Sequence, residues 1–191
     1  MTTRTALLQS AERAARQRGY DGFSYADLAG DVGIRKASIH HHFPTKAALA
    51  LALIERYSAG FAETCSTIAK SCSNSAEMLR AYHQIYRTAL AGGTQLCLCV
   101  AFSAGRASLS APVLDALNRF HADNISWLAA VFSAARADGA VRAMGDPDAE
   151  ARATLALMQG AQLLARGAAD LTPFDQATAA FLARLSPATP D

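Results

Sequence analysis

Hydrophobic residues recur along this chain at helical spacing, in segments that end at glycine, proline or short polar runs. In the first segment Leu7, Ala11 and Ala14 lie on one side of a predicted helix that ends before Gly19. Further along, Ser75 is the predicted N-cap of a helix over about residues 76–91. No run of alternating β-branched residues occurs in the sequence. The pattern therefore predicts an all-α protein.

The most informative segment runs from residue 24 to residue 46 and has the pattern of two short helices joined by a tight turn. Ser24 can cap the first helix, and Asp27 follows at the spacing of a capping box. Leu28 and Val32 are one helical turn apart and face the same neighbour. Gly33 stands where the chain must turn, because glycine takes a left-handed conformation there without steric cost.

The second short helix is predicted over residues 36–42, because Pro44 stops it. At about 100° per residue, Ile39 points towards a core while the opposite side is small or polar. That side carries Lys36, Ala37, His40 and His41. Such a division is what a helix that reads a DNA groove needs. Thr45 and Lys46 then open a new helix whose amides, hydroxyl and ammonium group favour a phosphate.

These motifs resemble the N-terminal domain of the TetR family of transcriptional regulators. The resemblance covers about residues 4–56 and rests on Gly19–Ser24, Asp27–Ala29, Val32–Ile34 and Ile39–Lys46. It implies an all-α protein with an N-terminal three-helix helix-turn-helix DNA-binding domain over residues 1–46. A C-terminal helical domain for ligand binding and dimerisation should cover residues 47–191, with a helix over about residues 45–69 linking the two.

The resemblance also implies a homodimer that binds a palindromic operator in double-stranded DNA and usually represses transcription until a small molecule releases it. By position, the residues implied to meet bases are Lys36, Ala37, Ser38 and His40. Those implied to meet phosphates are Ser24, Tyr25, His41, Thr45 and Lys46. Arg35 replaces the small hydroxyl residue common before the recognition helix, so an N-cap is lost and a cation gained. His40 stands where tyrosine is usual, so the operator sequence cannot be taken from relatives.

A small-molecule effector site is expected between the linking helix and the middle helices. The candidate lining residues are Phe61, Tyr82, His83, Tyr86, Phe102, His121, Asn124 and Trp127. They combine aromatic walls with a few polar groups, which is typical of small-molecule sites. Each of them is alternatively a core residue, and His121 in particular fits a hydrogen-bonded position in the core.

The predicted helices over residues 112–138 and 147–166 are apolar on more than one side, unlike a surface helix. We interpret the surplus as a four-helix dimer interface to which each subunit contributes two helices. The candidate interface residues are Val113, Phe120, Val131, Leu155, Leu157, Met158, Ala161 and Leu164. The alternative is that both helices are central in a monomer.

Cys97 and Cys99 form a C-x-C motif. Within one helix their side chains would point about 200° apart and could neither bridge nor bind one ion together. Buried cysteine as a small apolar residue is the simple interpretation. A thiol that senses oxidants or electrophiles is the alternative, because Cys97 follows a glycine-rich turn. The side chains of the tract His40-His41-His42 point in different directions around the helix, so the tract does not predict a metal site.

Composition and charge agree with this interpretation and exclude several other classes of protein. The 191-residue chain is 51% hydrophobic and carries a net charge of +2, with a balance of +3 over residues 1–56 and −1 over the rest. No apolar stretch reaches bilayer-spanning length and no apolar signal region follows Met1, so a cytoplasmic protein without a membrane partner is expected. No phosphate loop or nucleophile elbow occurs, so neither an enzyme nor a cofactor is predicted. A helical protein-interaction adaptor is the remaining alternative.

Overall fold

The computed structural model describes residues 2–185, and this part of the chain is α-helical without a β-strand. Its helices are α1 (Thr3–Arg18), α2 (Tyr25–Val32), α3 (Lys36–His42), α4 (Lys46–Ser71), α5 (Ser75–Ala89), α6 (Leu98–Ala104), α7 (Ala111–Asp138), α8 (Pro147–Ala168) and α9 (Thr172–Ala183). The predicted all-α class is confirmed. Within the described residues no helix combines the length and the hydropathy that a membrane span requires.

The first of two compact units contains the described residues up to Gly60 together with Leu96–Phe120. In it, α1 packs on α2 and α2 packs on α3. The fully or almost fully buried side chains at their centre include Leu7, Leu28 and Ile39. α6 also packs on α1. Two reciprocal hydrogen bonds join α1 to Leu96, two residues before α6: Leu96 N–H donates to Arg16 O at 3.0 Å, and Arg16 Nε donates to Leu96 O at 2.9 Å. The three N-terminal helices and α6 therefore share one unit.

The second unit contains Phe61–Gln95 and the described residues from His121 onward. α8 packs along α9, and α5 packs on α8. An ion pair of 2.7 Å between Arg184 and Glu150 fixes the end of α9 to the start of α8. α4 and α7 each begin in the first unit and end in the second. The functional division at residues 46 and 47 stays a prediction.

The start of α5 differs from the predicted cap. Asn74, not Ser75, is the N-cap residue, because Asn74 Oδ1 accepts a hydrogen bond from Glu77 N–H at 3.0 Å. Ser75 is the first residue of the helix and is buried, and its N–H donates to the Asp138 carboxylate at 3.0 Å. Both Asn74 and Ser75 are residue types that commonly cap helices. The contact of Ser75 with Asp138, which is distant in the chain, distinguishes the two.

Candidate DNA-binding face and effector site

The turn between α2 and α3 is built by local hydrogen bonds. A reciprocal capping box starts α2: Asp27 N–H donates to Ser24 Oγ at 3.4 Å, and Ser24 N–H donates to the Asp27 carboxylate at 2.7 Å. Hydrogen bonds from Ser24 hold the pKa of Asp27 below the usual value; the bond from the hydroxyl has the larger effect and the bond from the N–H the smaller. Gly33 ends α2 in the left-handed conformation, with φ of 73°. The predicted capping box and turn are confirmed.

α3 has a buried side and an exposed side. Ile39 has no exposed surface and anchors the helix to the core. The predicted DNA contacts that lie exposed on or beside α3 are Arg35, Lys36, Ala37, Ser38, His40 and His41. In the described structure Arg35 makes no side-chain cap, as its replacement of a hydroxyl residue predicts. The exposed side carries cationic, hydroxyl and imidazole groups, which are the groups that contact phosphates and base edges.

Tyr25, which the resemblance assigns to a phosphate, is bound within the unit. Its side chain is buried, and its hydroxyl donates to the Phe43 carbonyl at 2.8 Å. Burial, with a smaller effect of Tyr20, raises the pKa of Tyr25 to about 12. The hydroxyl is therefore a neutral donor that ties the start of α2 to the residue after α3.

Lys46, also assigned to a phosphate, directs its ammonium group into the unit. Nζ donates to the Phe23 carbonyl at 2.5 Å and lies 4.5 Å from the centroid of the Phe23 ring and 4.7 Å from that of Tyr20. Burial lowers the pKa of Lys46, although the Asp21 and Asp27 carboxylates oppose the shift. The ammonium group holds the segment before α2 against the start of α4.

Thr45 and His40 are exposed, and local contacts orient both side chains. Thr45 Oγ1 accepts a hydrogen bond from Ala48 N–H at 3.1 Å and so caps α4. His40 Nδ1 lies 3.2 Å from the Pro44 carbonyl, and its ring meets that of Tyr25 edge-on at 4.9 Å. A hydrogen bond to a carbonyl requires the proton on Nδ1, so Nε2 is the acceptor of a neutral His40 ring.

Several of the residues predicted for an effector site meet around Tyr82 in the second unit. Tyr82 stacks on Trp127, with 5.5 Å between ring centroids, and its hydroxyl donates to Asn124 Oδ1 at 3.0 Å. The Phe61 and Tyr86 rings lie 6.1 and 5.2 Å from the Tyr82 ring. We call these five residues the Tyr82 cluster. All of them except Trp127 are buried, so aromatic rings enclose a small polar centre.

Two residues predicted for the same site, Phe102 and His83, have other surroundings. Phe102 belongs to the first unit, where its ring meets Tyr20 edge-on at 5.6 Å. His83 faces α9, with Nε2 2.9 Å from Thr178 Oγ1. Burial lowers the pKa of His83 and that of the half-buried His121. Both rings are therefore favoured in the neutral form.

The residues predicted for a dimer interface divide into two groups. Those buried within their own units are Val113, Phe120, Val131, Leu155, Met158 and Ala161. Leu157 is partly exposed and Leu164 is 59% exposed. Leu163, which was not predicted, is 49% exposed beside it. We call Leu157, Leu163 and Leu164 the α8 apolar strip. The first group has the surroundings that the monomer-core interpretation describes, and the strip is accessible to a partner.

The C-x-C pair stands at the start of α6, and Cys97 precedes the helix as its N-cap residue, with ψ of 139°. The expectation that the two thiols point apart is wrong, because it assumed that both residues are helical. The Cys99 thiol instead donates a hydrogen bond to the Cys97 sulfur. The Tyr57 hydroxyl donates to the same sulfur at 3.2 Å. No local pattern pointed to Tyr57, which lies 40 residues away in the chain.

These hydrogen bonds make the two thiols different. Burial acts to raise the pKa of Cys97, but the donors around its sulfur outweigh it and lower that pKa to about 6. They are mainly the Cys99 thiol and the Tyr57 hydroxyl, with smaller effects of the backbone N–H groups of Val100 and Cys99, which do not form a side-chain cap with Cys97. Burial, together with the Cys97 sulfur, raises the pKa of Cys99 well above the usual range. The surroundings therefore favour the thiolate at Cys97 and the protonated thiol at Cys99.

An anchored α3 with an exposed polar side, preceded by a capped α2 and a tight turn, defines a helix-turn-helix DNA-binding protein. The family model described as "Bacterial regulatory proteins, tetR family" matches residues 7–53. A TetR-family transcriptional regulator from Agrobacterium tumefaciens, known from its crystal structure, is 32% identical, with a TM-score of 0.90 over 96% of this chain and 97% of that one. The chain belongs to the TetR family of transcriptional regulators.

A second relative is similar over nearly the whole chain. The HTH-type transcriptional repressor NemR of Escherichia coli K12 is 27% identical over 180 residues, which are 93% of this chain and 90% of NemR. The crystal structure of the reduced form of E. coli NemR superposes with a TM-score of 0.84. The similarity therefore extends well beyond the helix-turn-helix, and the predicted function of a ligand-responsive transcriptional regulator is confirmed.

Proposed function

We propose that this regulator is a repressor that binds a palindromic operator as a homodimer and releases it when a small molecule binds the second unit. The exposed polar side of α3 carries the proposal, and the similar NemR is a repressor. One short helix reads few base pairs, and a two-fold dimer doubles the contacts. The chain acts by binding rather than by catalysis, in the cytoplasm, where bacterial DNA lies.

On the operator, the base-reading residues are Lys36, Ala37, Ser38 and His40, and the phosphate contacts are Ser24, Arg35, His41 and Thr45. Tyr25 and Lys46 take a different role from the one that the resemblance implies. Their polar groups are bound to the carbonyls of Phe43 and Phe23. They position the helices that carry the contacts.

The α8 apolar strip is the proposed centre of the dimer interface. Leu163 and Leu164 are adjacent and about half exposed, at 49% and 59%. Large apolar side chains grouped at a surface are typical of a protein contact. Gly160 and Gly167 are exposed on the same helix and add little bulk between two packed helices.

The Tyr82 cluster is the proposed effector site. Its rings suit an apolar or planar group, and its hydroxyl and amide groups suit a polar substituent. Phe61 lies on α4 and Trp127 on α7, and both helices continue from the first unit. An effector that moves these side chains therefore acts on helices shared with the DNA-binding unit. A preference of about 3 kcal/mol for the released state would reduce operator affinity about a hundredfold.

Fluorescence anisotropy with duplexes from the intergenic DNA that flanks the gene tests the DNA-binding proposal. We expect sequence-specific binding that weakens as salt rises. Lys36→Ala should weaken it by about 1–3 kcal/mol. Lys70→Ala removes an exposed lysine of the second unit and is the matched control. Undiminished binding by Lys36→Ala would contradict the proposal.

Light scattering after gel filtration tests the interface. Leu164→Glu should yield monomers at concentrations where the unchanged protein is dimeric. Gln84→Glu places the same charge on another exposed position of the second unit and should leave the dimer intact. A dimeric Leu164→Glu protein would place the interface elsewhere.

The Tyr82 cluster contains the single tryptophan of the chain, so intrinsic fluorescence reports on it directly. Native mass spectrometry of the purified protein would identify a co-purified small molecule, and adding it back should change Trp127 emission and release the duplex. A ligand that releases the duplex without any change in Trp127 emission would exclude the Tyr82 cluster as its site.

A further inference from the structure

The start of α6 holds a buried pair of thiols that the DNA-binding and effector proposals do not use. Cys97 and Cys99 are 1% and 0% exposed, and their sulfurs are hydrogen-bonded to each other. A buried cysteine used as an apolar residue needs no donors. The Cys97 sulfur instead accepts hydrogen bonds from a second thiol and from the Tyr57 hydroxyl, the latter at 3.2 Å.

We propose that Cys97 and Cys99 form a dithiol that is oxidised by hydroperoxides, with Cys97 as the nucleophile and Cys99 as the resolving thiol. The proposal goes beyond the effector-binding function and does not depend on it. Donors around a sulfur stabilise the thiolate, which is the reactive form. Burial and the neighbouring Cys97 sulfur favour the protonated form of Cys99, and the Cys99 thiol is hydrogen-bonded to the Cys97 sulfur that it would attack.

The chemistry balances with hydrogen peroxide as the oxidant. The Cys97 thiolate attacks one peroxide oxygen, the O–O bond breaks, and the sulfur becomes a sulfenic acid while hydroxide leaves and takes up a proton. The Cys99 sulfur then attacks the sulfenic sulfur, its thiol proton joins the departing hydroxyl as water, and the S–S bond forms. Together, two thiols and one peroxide give one disulfide and two waters.

The disulfide would change the contacts that join α6 to α1. The Cys97 sulfur accepts the hydrogen bond of the Tyr57 hydroxyl, and Cys97 is the residue that immediately precedes α6. In a disulfide its sulfur is uncharged and drawn towards Cys99. Leu96, the preceding residue, makes both reciprocal hydrogen bonds with Arg16 of α1. Oxidation therefore acts on α1, one of the three helices of the DNA-binding domain.

Peptide mass spectrometry after treatment of the folded protein with hydrogen peroxide tests the proposal, in a Cys65→Ser/Cys72→Ser background that leaves only the pair. We expect a Cys97–Cys99 disulfide. Cys99→Ser should stop at a Cys97 sulfenic acid that dimedone traps, and Cys97→Ser should leave Cys99 as a thiol. A Cys97 that stays reduced until the protein is denatured, or the same product with and without Cys99, would overturn the proposal.

Tyr57→Phe separates the chemistry from a merely structural role. Loss of one donor worth about 1 kcal/mol should slow Cys97 oxidation near neutral pH about fivefold and move the pH profile of the rate upwards. An unchanged pH profile in the folded variant would refute the role of Tyr57. In the unchanged protein, oxidation should speed amide hydrogen exchange at Ala101, whose N–H donates to the Cys97 carbonyl at 3.0 Å. Neither measurement requires DNA, so failure here leaves the repressor proposal standing.

Discussion

Lys46→Met tests whether the first lysine of α4 positions the helix-turn-helix or binds DNA. Its ammonium group donates to the Phe23 carbonyl at 2.5 Å and lies against the rings of Phe23 and Tyr20. Methionine keeps an unbranched apolar side chain of similar length, so the stem still packs. The substitution removes the charge, the donor and both cation–π contacts.

The expected loss of stability follows from these contacts. A hydrogen bond from a charged donor contributes about 1.5–3 kcal/mol, and each ring contact about 0.5–1 kcal/mol. Burial of the ammonium group, which lowers the pKa of Lys46, offsets part of this gain. We expect the free energy of unfolding to fall by about 1–3 kcal/mol, since the Phe23 carbonyl also loses its donor.

Urea denaturation at fixed protein concentration, combined with salt titrations of operator binding, provides the assay. Lys46→Met should lower the urea midpoint and leave the slope of log affinity against log salt unchanged. Lys36→Met, at an exposed position of α3, is the matched control and should weaken operator binding with an unchanged midpoint. A Lys46→Met protein of full stability whose salt slope falls by about 0.9, the value for one phosphate contact, would refute the positioning role.

Three further substitutions test other contacts. Tyr25→Phe removes the donor to the Phe43 carbonyl and should lower the free energy of unfolding by about 1–3 kcal/mol; an unchanged urea midpoint would show that the buried hydroxyl contributes nothing. Ala169 ends α8 with φ of 53°, so Ala169→Gly should stabilise the protein by about 1 kcal/mol, whereas Ala168→Gly inside the helix should destabilise it. Hydrogen bonds from Arg184 hold the pKa of Glu150 below its ordinary 4.5, so its contribution is present above that pH and is lost as the pH falls through the lower folded value. The free energy of unfolding should therefore fall less steeply with acidification in Glu150→Gln, and parallel curves would contradict this.

The helix-turn-helix was predictable because the signals that define it are local. Ser24 and Asp27 cap α2 through bonds to each other, and Gly33 and Pro44 bound α3 through their own backbone preferences. Each of these effects acts within a few residues of chain. The observed range of α3 is accordingly the range that the sequence predicts.

Contacts between distant residues were not predictable in the same way. A position shared with a family does not tell whether a tyrosine hydroxyl faces DNA or, like that of Tyr25, a carbonyl 18 residues away. The contact between Cys97 and Cys99 depended on whether α6 begins before or after Cys97, and no side-chain cap marks that point in the described structure. Apolar periodicity also treats Met158 and Leu164 alike, although the first has no exposed surface and the second is 59% exposed.

The first unit is assembled from two separate stretches of the chain, because Leu96–Phe120 joins the residues up to Gly60. On the ribosome, α1 therefore emerges long before the segment that binds the Arg16 backbone and side chain. The same discontinuity limits protein engineering. A chimaera that takes its operator preference from a relative by exchanging only the first 60 residues would pair a foreign α1 with the resident α6. Exchanging both stretches together would preserve their mutual fit.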